Sequence, residues 1–100
     1  MVALEEAVME IIVNAGQSRS LCFEALRAAR EGNMEEARNL LREADGYSRQ
    51  AHQMQTKLIE QDAGEARQPM TLIMVHAQDH LMTSLLAREL SEEIIQLYQR

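Results

Sequence analysis

Three titratable side chains lie within five positions of one another in the run Met74-Val75-His76-Ala77-Gln78-Asp79-His80-Leu81-Met82-Thr83. His76, Asp79 and His80 are spaced by three and four residues, which places them on neighbouring rows of one helix face. An imidazole near neutral pH can be a nucleophile, a proton shuttle or a metal ligand. A carboxylate set among aliphatic residues must be paired, protonated or bound to a cation if it is buried, because an isolated charge is costly to desolvate. Asp79 has no Arg or Lys within a helical turn. It therefore either meets copies of itself across a symmetry axis or points out of a bundle corner to water. Converging carboxylates would need a shared proton or a hard divalent cation such as Mg²⁺ or Ca²⁺.

The two histidines are open to more than one chemistry. Their i, i+4 spacing resembles half of a zinc site. The glutamate of a metalloprotease helix is missing, however, the single Cys22 is on another helix, and His52 is the only further histidine. A neutral imidazole can instead attack phosphorus, with nearby amides or hydroxyls holding the phosphoryl oxygens. Gln78, Thr83 and the polar second half of the middle helix are available for that. The chain has no Gly-rich phosphate loop and no Ser-His-Asp arrangement, which argues against nucleotide binding and hydrolysis. A purely structural role for the pair is equally compatible with the residues alone.

Helices must position this cluster. Leu4, Val8, Ile11, Ala15, Cys22, Ala25 and Ala29 recur with helical period, with Ile12 and Leu26 alongside, and predict a first helix over about 3–31. Gly16 interrupts that pattern, either for close approach of another backbone or as a tolerated soft spot. Gly32-Asn33 is a boundary: glycine ends one helix, and Asn33 with Glu36 three residues on begins the next. The second helix spans about 34–61 on the stripe Ala37, Leu40, Leu41, Ala44, Tyr47, Ala51, Met54 and Leu58. Its later half, with Ser48, Gln50, His52, Gln53, Gln55 and Thr56, is polar but lightly charged, and faces an interface or ordinary solvent. Gly64 can stop it, and Pro69 suits the first turn of a third helix over about 69–98. That third helix has two apolar stripes. One is Ile73, Ala77, Leu81, Ser84 and Leu85. The other is Leu72, Val75, Asp79, Met82, Leu86 and Leu90. An up-down-up bundle needs only one of them, so the second predicts burial against other subunits.

Composition agrees with one small all-α domain of 100 residues, 46% hydrophobic, with three aromatic residues and no Trp. The net charge of −6 argues against a nucleic-acid binder. One cysteine makes no internal disulfide, so a reducing compartment is expected. No basic region followed by an apolar run opens the chain, and no segment approaches the roughly 18 apolar residues of a membrane span. The expected location is cytoplasmic.

Several motifs resemble the IIA component of the lactose/cellobiose/N,N'-diacetylchitobiose class of the bacterial phosphoenolpyruvate-dependent sugar phosphotransferase system. They are Asn14-Ala15-Gly16-Gln17-Ser18-Arg19-Ser20-Leu21, Gln55-Thr56-Lys57-Leu58-Ile59-Glu60, Asp62-Ala63-Gly64-Glu65, and Val75 through Leu85 with Ala87-Arg88-Glu89-Leu90 after it. The wording is closer to the diacetylchitobiose/cellobiose branch than to the lactose branch. The resemblance covers nearly the whole chain; the link 64–69 departs from it, since relatives often carry a second Gly and a Lys there.

The resemblance implies a nine-helix homotrimer of three-helix subunits. It implies that His76 is phosphorylated at Nε2 by the histidine-containing phosphocarrier protein and passes the group to a cysteine of the IIB component. IIB in turn serves the membrane-embedded IIC component, here for a β-linked disaccharide such as cellobiose or diacetylchitobiose. It also implies that Asp79 meets its two symmetry mates around a shared divalent metal, taken as Mg²⁺. Gln78 and His80 are candidate phosphoryl-stabilising groups. On this reading His76 is accessible within an apolar rim of Leu72, Ile73 and Met74, while Asp79 is buried. The rival from another class is a non-catalytic trimeric helical interaction module with an Asp79-lined axis.

Overall fold

The computed structural model describes residues 3–100, which form three long helices: α1 Leu4–Arg30, α2 Met34–Ala63 and α3 Leu72–Tyr98. They run up, down and up in a rod of 51 × 19 × 17 Å. The all-α three-helix bundle expected from the periodicity is the fold observed.

The turns follow from local chemistry. Gly32 takes φ +88°, the left-handed conformation that a side chain would resist. Its N–H donates to the Ala29 carbonyl, and the Asn33 N–H donates to that of Ala28 at 2.9 Å, closing α1 with paired C-terminal bonds. Asn33 then caps α2, its Oδ1 accepting the Glu36 N–H at 3.2 Å. The second link differs from the expectation. α2 continues to Ala63 with Gly64 as its cap, and α3 begins at Leu72 rather than near Pro69. Thr71 is the reason: its hydroxyl accepts the Met74 N–H at 3.2 Å and makes it the N-cap. The loop is held by Asp62, whose carboxylate accepts the Gln68 N–H at 2.7 Å.

α1 is the central helix. It packs extensively on both partners, while α2 and α3 touch each other less. Toward the His76 end, Val8, Ile11 and Ala15 pack with Met54, Leu58, Met74, Ala77 and Leu81. Toward the other end, Cys22, Ala25 and Ala29 pack with Ala37, Leu41, Ala44 and Ile95. The many alanines let the helix axes approach closely. Ser18 and Ser48 share a buried hydrogen bond of 2.7 Å between the two clusters, and Ser84 returns its hydroxyl to the Leu81 carbonyl. No buried polar side-chain atom is left unpartnered among the described residues.

The inner stripe of α3 is Met74, Ala77, Leu81, Ser84, Ser91 and Ile95. Met74 takes the place that the periodicity assigned to Ile73. Both lie in the first turn of α3; Met74, three residues before Ala77 and seven before Leu81, aligns with the buried stripe and joins the core with Leu58, whereas Ile73 is exposed.

Candidate functional site

α3 carries the site on its second turn, past the Thr71 N-cap. His76 is exposed and His80 is half-buried. Their rings stack with centroids 5.7 Å apart and an interplanar angle of 14°. At about 100° per residue, His80 lies about 40° to one side of His76 and Asp79 about 60° to the other. His76 thus sits between a neighbour turned toward α1 and a neighbour on the outer face.

Each predicted site residue has a definite place. The accessibility expected of His76 is found. Its rim is only partly as expected: Leu72 and Ile73 are exposed, but Met74 is a core residue and takes no part in it. Gln78 is about 200° around the helix from His76. It faces α2 instead, where its Oε1 accepts the Gln55 Nε2–H at 2.5 Å, and its own amide donates weakly to the Met74 sulfur at 3.7 Å. Gln78 therefore does not reach His76 within one chain. It lines an open apolar cleft with Leu58, Ile59, Asp62 and Met70. Thr83 is engaged elsewhere too, its hydroxyl donating to the Asp79 carbonyl at 2.9 Å. The polar half of α2 divides between roles: Ser48 and Gln55 bond to other helices, while His52 and Thr56 are exposed.

Asp79 is exposed on the single chain, not buried. It stands in the surplus apolar stripe, and that stripe is bare: Leu72 is 86% exposed, Met82 56% and Leu86 54%. No basic side chain pairs with the Asp79 carboxylate among the described residues. Nor, among the described residues of the single chain, do three or more His, Cys, Asp or Glu side chains gather there into a set able to hold a metal ion. One carboxylate offers two oxygens where a hard divalent cation takes six or more ligands.

Sequence reasoning missed one contact of the site. Gly16 on α1 faces His80: a Cβ built there would stand 3.3 Å from His80 Nε2. The close approach suggested by this glycine is made by a side chain, not by another backbone. The signal was present as an interior glycine, but its partner could not be read from spacing.

Residues 6–99 match the family described as the lactose/cellobiose-specific IIA subunit of the PTS system. The chain belongs to that family. It is a component of the sugar phosphotransferase system, as the motifs around Gly16 and His76 led us to expect. The N,N'-diacetylchitobiose-specific EIIA component of Escherichia coli strain K12 is 50% identical over 97 residues, covering 97% of this chain and 84% of the relative. The cellobiose-specific enzyme IIA of Bacillus anthracis superposes with a TM-score of 0.94 at 36% identity, over 99% of this chain and 91% of that one. The chitobiose IIA in its complex with HPr, from the N,N'-diacetylchitobiose branch of the E. coli system, gives 0.85 at 47% identity, over 99% and 96%. Among the described residues of this IIA chain, no helix is long and apolar enough to cross a membrane.

Proposed function

We propose that this IIA chain is a cytoplasmic phosphocarrier in the uptake of a β-linked disaccharide such as cellobiose or diacetylchitobiose. His76 Nε2 attacks the phosphorus of phosphorylated HPr, the histidine-containing phosphocarrier protein. The P–N bond of the donor breaks as the bond to His76 forms. A cysteine thiolate of the IIB component then takes the phosphoryl group, and His76 returns to neutral imidazole. IIB phosphorylates the sugar that enters through the membrane-embedded IIC component. The observation that carries this reading is His76 itself: exposed, on a long helix, with a stacked imidazole beside it. The HPr complex of the related chitobiose IIA supports the donor.

Transfer of this kind passes through a loose transition state, so positioning and charge stabilisation carry the catalysis. An exposed acceptor suits in-line docking of two successive protein partners. Leu72 and Ile73 provide the apolar rim against which those partners exclude water and limit hydrolysis. His80 is the phosphoryl-stabilising candidate in reach of His76; Gln78 would need another route to the phosphoryl oxygens.

The functional unit in this proposal is a homotrimer. Three α3 stripes cover one another, and three Asp79 carboxylates converge on the axis. Six carboxylate oxygens match the chemistry of Mg²⁺, which would neutralise the converging charge. In this proposal the metal serves assembly.

The deciding experiment incubates the chain with phosphoenolpyruvate, Enzyme I and HPr. The expected product is an acid-labile, alkali-stable phosphate on His76, absent from His76→Ala. Equal labelling of His76→Ala would sink the assignment. A folded trimer that takes no phosphate would favour the non-catalytic interaction module.

A further inference from the structure

We propose that Gly16 is a positioning residue for phosphoryl transfer, acting through His80. The inference rests on the reading of His76 as phosphoryl acceptor. Gly16 lies in the middle of α1 with ordinary helical backbone; the positive-φ glycine among the described residues is Gly32. Backbone conformation therefore does not require glycine at position 16, and an interior glycine disfavours a helix relative to alanine. What does require it is space. The 3.3 Å between a Cβ at position 16 and His80 Nε2 is shorter than ordinary van der Waals contact, and His80 Nε2 is the atom that comes this near. Gly46, the other glycine inside a helix, has no such neighbour: its Cβ would meet the end of the Arg49 side chain at 4.0 Å.

The missing side chain makes a seat. The His80 ring rests against α1 at Gly16 and stacks on the His76 ring 5.7 Å away. His76 is exposed, and its ring stacks on that of His80, so the seated imidazole bears on its orientation. A methyl group at position 16 pushes on the far end of the His80 side chain, not on backbone. His80 can yield by a few tenths of an ångström without damage to the helices, but the stack moves with it. A misplacement of about 1 Å can slow such a transfer roughly a hundredfold, so a smaller displacement is expected to cost less than that.

The two roles of an interior glycine predict opposite results. For Gly16→Ala we expect a melting temperature equal to or above that of the wild type, together with phosphoryl transfer from HPr slowed about tenfold. The imidazole proton resonances of His76 should shift in the NMR spectrum, because they lie in the ring current of His80, while those of His52 stay in place. Gly46→Ala should gain stability and transfer at the wild-type rate. The double variant Gly16→Ala/His80→Ala should be no slower than His80→Ala alone, since the seat has lost its occupant. Wild-type transfer by Gly16→Ala, or by His80→Ala, overturns the proposal. So do unmoved His76 resonances, or losses in the double variant that simply multiply. A wild-type chain that takes no phosphate, while Gly16→Ala still moves the His76 resonances, overturns the carrier reading and leaves the seat standing.

Discussion

His76 and Cys22 mark opposite uses of a nucleophilic side chain. His76 is exposed, whereas Cys22 is buried on α1 beside Ser91 of α3. Burial pushes the Cys22 thiol above its ordinary value of 9.0, with Arg88 and hydrogen bonds from Ser91 and Ser18 opposing the shift. The chain's cysteine is thus held as a protonated, buried thiol, and the proposed phosphoryl chemistry rests on the imidazole of His76. The raised value has a consequence for stability. Below pH 9.0 the thiol is protonated in both states; above it the unfolded thiol ionises before the folded one. The contribution of Cys22 is therefore present at neutral pH and lost as pH rises through the folded value. Urea midpoints should fall as the pH rises above 9.0, and fall less in Cys22→Ala. An equal fall in both proteins would show that Cys22 is not the group responsible.

At the scale of the elements, α2 and α3 need help to stay together because each packs mainly on α1. Two arginines supply it. Arg88 donates twice to the Asp45 carboxylate, at 2.6 and 3.1 Å, and Arg38 donates to Glu92 at 2.8 Å. Arg88 also approaches Glu92 one turn on, at 3.7 Å. Asp45 raises the Arg88 pKa further and holds the guanidinium charged. The pair is part-exposed, so its worth is screened. Asp45→Ala should lower the unfolding free energy by about 1 kcal/mol without altering phosphorylation of His76. Denaturant unfolding beside the phosphate assay checks both halves. A loss of transfer in Asp45→Ala would mean that the α2–α3 contact reaches the site.

For the whole molecule, the decisive feature is the bare stripe of Leu72, Val75, Met82, Leu86 and Leu90 with Asp79 in its midst. A narrow rod leaves such a face uncovered, since α1 already occupies the inner stripe of α3. In the proposed trimer two further copies cover it, which would account for both the apolar residues and the carboxylate. Asp79→Leu should therefore remain trimeric and no longer depend on a divalent cation, because three apolar side chains fill the axis without repulsion. Leu86→Glu should dissociate the assembly by placing three new charges against each other. Sedimentation velocity with and without chelator reads both outcomes; a native protein that sediments as a monomer would remove the basis for the trimer.

Most of this architecture was legible in the sequence. Ala, Leu and Ile at helical period named three helices, Gly32-Asn33 named the first turn, and the second stripe of α3 announced a face the single chain would leave bare. These are short-range facts, governed by one turn of backbone or one period of side chains. The resemblance around Gly16 and His76 supplied the family, which the matches to known IIA chains bear out. Tertiary structure decided whatever depends on which residues from different helices meet. It set Thr71 and not Pro69 at the head of α3, sent Gln78 to Gln55, and drew Met74 into the core while leaving Ile73 out. It also brought Gly16 beneath His80, 64 positions later in the chain. No period records such a pairing, because it is set by the packing of two helices and the space a missing side chain leaves between them.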